Sequence, residues 1–382
     1  MVEAPFAACY EPGATARWRG THTAVPHQAI TEYRSPPSSR ARQIIGASRE
    51  RCVYCDGKKI TREGKRHKKY ETVQLWYCHT CDRVFTPQRA KGKTYPLKVI
   101  LESLMLYYRG ETREQVARKI RDRFGITVPS RTLSTWLSQH RELTPYTRLR
   151  DKYTTTYRPN RIIRAVRLQH QQVYEYRIHQ GKLDWALGIT KQQHLEPLRA
   201  FLRDMAESCP HALFQTDARA SQGKTAYDLD AVEIKSRHNL ACRAADLVLQ
   251  TVTINKRRHD EIQRFMLATD SVTVAVEVPI YLQPEELADL KRTKCFSIPL
   301  ESATTLTGHI DFLQIRNGAI HILDYKPGAR LERPIPQLMT YALALSRRTG
   351  LRLFDFVCAW FDHEHYYEFY PLHVIHKRAP PP

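Results

Sequence analysis

Residues 306–326 read LTGHIDFLQIRNGAIHILDYK. Apolar and β-branched side chains dominate both halves of this stretch, and the Asn317-Gly318 pair between them is typical of a tight hairpin turn. The sequence therefore predicts two antiparallel strands, over residues 308–315 and 319–325. Each side chain of such a hairpin has a defined face, because successive residues of a strand point to opposite sides.

This hairpin carries two acidic residues and a lysine. Asp311 lies on the first strand and Asp324 near the end of the second, and Lys326 follows two positions later on the same face. Hydrolysis of a phosphodiester needs a divalent metal ion and a cation that holds the attacking water or the transition state. Two carboxylates and a lysine supply those parts. A surface ion pair between Asp324 and Lys326 is the alternative, but the apolar run that leads into Asp324 argues against an exposed position.

The rest of the C-terminal half alternates between strand and helix patterns. Strand patterns cover residues 272–280 and 354–360, and a helical pattern covers residues 337–346. Residues 230–267 have the period of a long helical region. This order predicts an α/β domain with a small mixed sheet over residues 230–376.

Four motifs in this half occur in the order found in one nuclease superfamily. They are VEVP with Glu277, GHID with Gly308 and Asp311, DYK with Asp324 and Lys326, and QLMTY with Gln337 and Tyr341. This part of the chain resembles the PD-(D/E)xK nucleases, and most closely their RecB-type branch. The resemblance implies a restriction-endonuclease-like mixed-sheet fold and metal-dependent nuclease activity.

The resemblance also implies a role for the residues at the centre of the motifs. Asp311 and Asp324 are expected to bind Mg²⁺ or Mn²⁺, together with the backbone carbonyl of Tyr325. Lys326 is expected to orient the attacking water.

Four more residues complete the implied site. Gln337 and Tyr341, four apart on one helix face, are expected to brace the site or touch the DNA backbone. A histidine on the helix before the first strand reaches the metal in the RecB-type branch, and His259 is the candidate here, with a surface position in a charge cluster as the alternative. Glu277 is expected to act as a catalytic carboxylate or metal ligand, and a structural role for this carboxylate stays open.

A second acidic pattern precedes the hairpin. Residues 230–235 read DAVEIK, which repeats the order acid, acid, lysine. Because the surrounding period is helical and no GxxD motif precedes it, this pattern is rejected as the active site, although Glu233 and His238 could line a cleft. His309 and His321 are expected to flank the strands rather than bind metal.

The chain is long, basic and unevenly charged. Its 382 residues leave room for two or three domains, and 42% hydrophobic against 26% charged residues allow a sizeable core. Lys and Arg number 60 and Asp and Glu 39, a net charge of +21, of which about +16 falls in residues 1–150. A polyanion is therefore the expected partner. Since no apolar run approaches the roughly 18 residues of a spanning helix and no signal-peptide pattern opens the chain, no membrane partner is expected and the cytoplasm is the expected location.

Four of the nine cysteines form two CxxC pairs. Cys52 and Cys55 are separated from Cys78 and Cys81 by 22 residues, and two such turns can close a tetrahedral zinc site. A structural Zn²⁺ ion is expected, because a module this small cannot build a core of its own. Basic side chains between the pairs are expected to contact phosphates, with these candidates: Lys65, Arg66, Lys68 and Lys69.

Helical periods follow the cysteine module. Apolar spacing predicts a helix near Leu97, a second helix capped by Thr112 and ended by Gly125, and a third capped by Ser130. A helix-turn-helix places the N-terminal side chains of its second helix in the major groove of DNA. The candidates for DNA contact are therefore Arg131, Thr132, Ser134 and Thr135. A helical packing module with no DNA role is the alternative.

The cysteine pairs and these helices resemble the zinc ribbon and helix-turn-helix at the front of insertion-sequence transposases. The resemblance implies DNA as the partner, duplex rather than single-stranded, and leaves open a homodimer or a mobile-element partner protein. The chain is accordingly divided into a flexible leader (1–50), a zinc ribbon (51–92), a small helix-turn-helix domain (93–145), a connecting region of uncertain fold (146–229) and the nuclease domain (230–376).

The predicted function is that of a metal-dependent DNA nuclease targeted by its zinc ribbon and helix-turn-helix. Two alternatives stay open. One is a DNA-binding regulator or mobile-element accessory protein with an inactive nuclease-like domain, which the intact Asp311, Asp324 and Lys326 argue against. The other is a nuclease that acts on RNA.

Overall fold

The computed structural model describes residues 44–45, 51–86, 94–144, 147–188, 190–215, 218–222, 232–237, 239–252, 254–294 and 305–376. The expected flexible leader, residues 1–50, lies outside the described residues except for residues 44–45. Among the helices described, none combines the length and the apolar character that crossing a membrane requires.

Helices are spread along the described chain. Their bounds are α1 Leu97–Tyr108, α2 Arg113–Phe124, α3 Ser130–Gln139, α4 Thr147–Thr156, α5 Pro159–Ile162, α6 Gln180–Leu187, α7 Pro197–Glu207, α8 Leu240–Leu249, α9 Arg258–Thr269, α10 Pro284–Lys294, α11 Ile335–Thr349 and α12 Pro371–His376.

The strands form one small and one large sheet. Their bounds are β1 Ile44–Ile45, β2 Ile60–His67, β3 Thr72–Cys78, β4 Arg83–Phe85, β5 Ile163–His170, β6 Gln172–His179, β7 Lys235–Arg237, β8 Thr273–Leu282, β9 Leu306–Arg316, β10 Ala319–Tyr325, β11 Phe356–Phe361 and β12 Tyr366–Phe369. In the small sheet β3 pairs with β1, β2 and β4, and the large sheet has eight strands in the order β5-β6-β8-β9-β10-β11-β12-β7.

The expected hairpin forms the centre of the large sheet. β9 and β10 pair antiparallel, and Asn317 and Gly318 between them have φ values of 54° and 77°, as a two-residue turn with right-handed strand twist requires. β10 also pairs in parallel with β11. The sheet is therefore mixed, and the expected α/β fold class is confirmed.

Helices cover both faces of the large sheet. On one face α6, α7 and α11 share a core with the sheet, and on the other α8 and α9 share a core with the sheet and with α1, α2 and α3. Burial on two faces explains why β10 is apolar almost throughout. A carboxylate on this strand, such as Asp324, is consequently held away from solvent.

A second hairpin extends the sheet at one edge. β5 and β6 pair antiparallel on either side of Gln171, and β6 pairs with β8. The connecting region thus contributes strands to the same sheet as residues 273–369, and residue 230 is not a boundary between two sheets. The division of the chain into domains stays a prediction.

The helical interpretation of residues 230–267 is wrong in part. Residues 235–237 form β7, which pairs with β12, and the helical residues are divided between α8 and α9. Three residues are too few to show a strand period, so this edge strand is fixed by its pairing rather than by its own sequence.

The helix caps are mostly as expected. Thr112 forms a capping box with Gln115, and Gly125 ends α2 in the left-handed conformation. Ser130, in contrast, is the first residue of α3, and Pro129 occupies the cap position without a side-chain bond. The extended backbone of Pro129 sets the start of the helix one residue earlier than the serine pattern predicts.

Candidate active site

Two carboxylates meet where β9 and β10 run side by side. The backbone N–H of Tyr325 donates to Asp311 Oδ2 at 3.0 Å, and Asp324 is only 2% exposed. Burial, and then repulsion from a neighbouring carboxylate, raises the pKa of Asp311 and that of Asp324 to about 7. A nearby cation would therefore favour the charged form of both groups.

A lysine, an amide and a phenol surround Asp324. Lys326 Nζ lies 3.0 Å from Asp324 Oδ2 and 3.4 Å from Gln337 Oε1. Gln337 Nε2 donates to Asp324 Oδ1 at 3.3 Å and to the Tyr341 hydroxyl at 3.0 Å. Burial alone would lower the pKa of Lys326, but the charge of Asp324 raises it, so the amine stays charged. The DYK and QLMTY motifs thus form one polar network.

Gly308 lets α11 come close to β9. A Cβ atom at this position would lie 2.5 Å from Tyr341 Cε1 and 3.0 Å from the Tyr341 hydroxyl oxygen. Any side chain there would displace Tyr341 and with it the bond to Gln337. The glycine of the GHID motif is therefore required by packing between a strand and a helix.

His259 reaches the carboxylates from α9. Its Nε2 lies 2.8 Å from the carbonyl oxygen of Tyr325 and 3.8 Å from Asp311 Oδ2. Burial lowers the pKa of His259, which favours the neutral imidazole. The structure places this candidate ligand beside two of the other expected ligands.

Glu277 faces the same space from β8. Its carboxylate accepts a hydrogen bond of 2.7 Å from Gln263 Nε2, and burial raises its pKa to about 7. Glu277 has φ = 53°, a left-handed conformation that costs a non-glycine residue roughly 1 kcal/mol or more. Gln263, which the motifs did not reveal, also donates to the carbonyl of Asp311 at 3.3 Å.

These groups line a single cavity of about 300 Å³. The motif and candidate residues on its wall are His259, Glu277, Gly308, Asp311, Asp324, Lys326, Gln337 and Tyr341. Four motifs that span 65 residues of sequence, from Glu277 to Tyr341, therefore converge on one site. The roles expected for the individual residues stay predictions.

Comparison with protein families agrees with this geometry. Residues 192–356 match the family model described as the PD-(D/E)XK nuclease superfamily. This match places a PD-(D/E)XK nuclease superfamily domain at residues 192–356. Glu277, the β9–β10 hairpin and the residues of α11 that line the cavity all fall inside the match. Searches of curated proteins and of solved structures found no match.

One wall of the cavity in this nuclease domain was not anticipated from the sequence. It consists of His170 and Tyr174 from the β5–β6 hairpin, with Phe214 and His309. His170 stacks on Phe214 with ring centroids 4.0 Å apart, and Tyr174 stacks on His309 at 3.6 Å. His309 lies on β9, and a hydrogen bond of 2.9 Å joins its Nε2 to His170 Nδ1.

Part of this wall lies outside the matched residues, because β5 and β6 precede residue 192. Alternating residues on both sides of Gln171, which has φ = 59°, are the signal that could have identified the hairpin. Arg219 also lines the cavity and adds a cation to its wall.

The rejected DAVEIK pattern lies elsewhere. Lys235 is exposed on β7, at the edge of the sheet opposite the β5–β6 hairpin. Neither Lys235 nor Glu233 is among the residues that line the cavity, and His238 lies outside the described residues. The helical conformation expected for this pattern is wrong at Lys235, which lies in a strand.

The four paired cysteines form a compact cluster ahead of the nuclease domain. All four sulfurs lie within 4.8 Å of one another, with 3.7 Å between Cys52 and Cys81 and 3.6 Å between Cys55 and Cys78. Zinc–sulfur bonds of about 2.3 Å would place tetrahedral sulfurs about 3.8 Å apart. The cluster and the strands β2, β3 and β4 around it fit a zinc ribbon.

The basic residues between the cysteine pairs differ in their surroundings. Lys65, Arg66 and Lys69 are exposed, whereas Lys68 pairs with Glu71 at 2.9 Å and is largely covered. The first three are therefore open to solvent, whereas the charge of Lys68 is balanced by Glu71.

The α3 helix buries one side and exposes the other. Leu133 and Trp136 are buried, Arg131 and Thr135 are exposed, and Thr132 and Ser134 are half-buried. The hydroxyls of Ser134 and Thr135 donate to backbone carbonyls one turn earlier, at 3.1 Å each. Of the expected DNA contacts, Arg131 has the reach and exposure that a groove contact needs.

Proposed function

We propose that the protein is a metal-dependent nuclease that hydrolyses phosphodiester bonds in DNA. The observation that carries the proposal is that Asp311, Asp324 and Lys326 meet in one cavity, inside residues that match a nuclease superfamily. Two carboxylates and an amine within a few ångströms are the groups that metal-assisted phosphodiester hydrolysis requires.

The donors around this cavity suit a hard divalent cation. Asp311, Asp324 and the carbonyl of Tyr325 supply oxygen ligands, which Mg²⁺ and Mn²⁺ prefer. His259 Nε2 lies beside two of them and is the candidate nitrogen ligand. When bound, such an ion polarises the phosphate and lowers the pKa of a bound water molecule.

The surrounding residues hold the reacting groups in place. In our proposal Lys326 Nζ, already 3.0 Å from Asp324, donates to the attacking water or to a phosphate oxygen. Gln337 bonds to Asp324 and Tyr341 and fixes the position of the lysine. Glu277 adds a carboxyl group whose pKa, raised to about 7 by burial, suits proton transfer near neutral pH.

Targeting is assigned to the basic front of the chain. A structural Zn²⁺ ion held by the four cysteines stabilises the zinc ribbon, and the ribbon and the helix-turn-helix bind duplex DNA. Residues 230–376, joined by the β5–β6 hairpin, cut it. The exposed Lys65, Arg66 and Arg131 and the net charge support this division. The cytoplasm is the proposed location.

The test is cleavage by the full chain of linear duplex, closed circular and single-stranded DNA with Mg²⁺ or Mn²⁺, beside an RNA of the same sequence. We expect metal-dependent cutting of DNA that Asp311→Asn abolishes, and cutting of the circle would show an endonuclease. Cutting of RNA alone would transfer the proposal to that polymer. A folded protein that binds duplex DNA and cuts nothing with either metal would support the DNA-binding regulator.

A further inference from the structure

A second group of metal-ligand residues lies behind the cavity wall. His170 ends β5, and Cys209 and His211 follow α7 in the sequence Cys209-Pro-His211. One ligand atom from each residue lies within 4.8 Å of those of the other two. His170 Nε2 is 3.0 Å from His211 Nδ1 and 3.8 Å from Cys209 Sγ.

These distances suit a tetrahedral ion. With zinc–nitrogen bonds of about 2.05 Å and a zinc–sulfur bond of about 2.3 Å, two nitrogens would lie about 3.3 Å apart and a nitrogen and a sulfur about 3.6 Å apart. The two contacts of His170, at 3.0 Å and 3.8 Å, are therefore each within about 0.3 Å of the separation that a shared ion would set. Two imidazoles and one thiolate are a donor set that favours Zn²⁺ over Mg²⁺.

The orientation of His170 also supports a metal site. Its ring stacks on Phe214, and its Nδ1 bonds to His309 Nε2 at 2.9 Å. Metal-binding histidines commonly donate their second N–H to a neighbouring acceptor, which leaves the other nitrogen free for the ion. Here Nδ1–H would donate to His309, and Nε2 would face Cys209 and His211.

We propose that His170, Cys209 and His211 form a second zinc site, separate from the four-cysteine cluster, that fixes the segment after α7 to the end of β5. Three protein ligands leave the fourth position to a water molecule. Because His170, Phe214 and His309 also line the active-site cavity, the ion holds one wall of that cavity in place.

Zinc content tests this proposal without any cleavage assay, so its outcome is independent of the proposed nuclease. The full chain is dialysed against zinc and then zinc-free buffer, and bound metal is measured by mass spectrometry. We expect about two zinc ions per chain, and about one in either His211→Ala or the double variant Cys55→Ser/Cys78→Ser, which leaves two of the four clustered cysteines. His211 is exposed, so its replacement leaves packing intact, and Cys242→Ala serves as the control for loss of a cysteine outside both clusters.

Cobalt substitution adds a second measurement. The double variant Cys55→Ser/Cys78→Ser loaded with Co²⁺ should retain the absorption of a tetrahedral site with one thiolate, and the added Cys209→Ser change should remove it. About one zinc ion in the unmodified chain, unchanged by His211→Ala and lost in Cys55→Ser/Cys78→Ser, would overturn the proposal. The cluster would then be a chain of hydrogen-bonded imidazoles.

Discussion

Asp324 shows how individual residues define the site. One of its carboxylate oxygens pairs with Lys326 at 3.0 Å, and the other accepts from Gln337 at 3.3 Å. It lies on a strand covered on both faces, where an unpaired charge would be costly. Lys326 therefore neutralises a buried carboxylate, and the catalytic role that we propose for it can be tested separately.

We expect Lys326→Ala to lower the rate of DNA cleavage by about 10²–10³-fold, as loss of one charged group that stabilises a transition state does. Affinity for duplex DNA should change little, since the basic residues of the zinc ribbon and helix-turn-helix remain. Rates under single-turnover conditions and binding by fluorescence anisotropy measure the two quantities.

Lys235→Ala is the matched control for this change. It removes an exposed lysine from the DAVEIK pattern, at the far edge of the sheet. Equal loss of cleavage in the two variants would contradict the assignment of Lys326.

The acidic cluster should make stability depend on pH. Burial raises the pKa of Glu277, Asp311 and Asp324 to about 7, whereas unfolded carboxyl groups have a pKa of about 4. Below about pH 4 both states are protonated, and as pH rises toward 7 the unfolded state releases protons first, so the free energy of unfolding falls.

Thermal unfolding between pH 5 and pH 7.5, without Mg²⁺ or Mn²⁺, checks this expectation. With rising pH the melting temperature of the unmodified chain should fall relative to that of Asp311→Asn, and added Mn²⁺ should raise it more at pH 7.5 than at pH 5. An identical slope in Asp311→Asn would show that this carboxyl group titrates normally in the folded protein.

At the scale of elements, the site depends on the contact between β9 and α11. Gly308→Ala would place a methyl group 2.5 Å from Tyr341 Cε1, so we expect a loss of about 1–3 kcal/mol in the free energy of unfolding, as for other overpacked positions. Cleavage should also fall, because Tyr341 anchors Gln337. Chemical denaturation measures the first effect.

A double variant tests whether the loss of stability in Gly308→Ala comes from the clash with Tyr341. Tyr341→Ala removes the ring that the new methyl group meets, so adding Gly308→Ala to it should cost little further stability. Full additivity of the two losses would mean that the glycine is needed for another reason.

Local sequence explains which elements could be predicted. The Asn317-Gly318 turn and the alternation on either side of it are signals within twenty residues, and they set the β9–β10 hairpin and the positions of Asp311 and Asp324. The aromatic wall could not be found this way, since His170 and His309 are 139 residues apart and meet only through sheet pairing. β7 was missed because an edge strand of three residues has no period of its own.

For the whole molecule, we expect the zinc ribbon and helix-turn-helix to bind DNA and the nuclease residues 230–376 to cut it. Cys78 is fully buried in the four-cysteine cluster, and Cys78→Ser should unfold the ribbon when its zinc ion is lost. We expect weaker binding of duplex DNA and a shallower dependence of log affinity on log salt concentration, because fewer phosphates are neutralised. Nonspecific cutting should persist.

Titration of duplex DNA with each variant at several salt concentrations measures the slope of log affinity against log salt concentration. Cys242→Ala, which removes a buried cysteine in α8 outside the four-cysteine cluster, is the control. An unchanged slope in Cys78→Ser would place the DNA contacts outside the ribbon.

The two outer strands of the large sheet affect whether copies of the protein aggregate. β5 and β7 each pair with a single neighbour among the described strands, so each leaves a row of backbone donors and acceptors that another strand could join. Arg167 on β5 and Lys235 on β7 are exposed, and positive side chains on outer strands disfavour the approach of a second copy. Arg167 and Lys235, whose charges resemble part of a nucleic-acid surface, therefore also disfavour aggregation through the edges of the sheet.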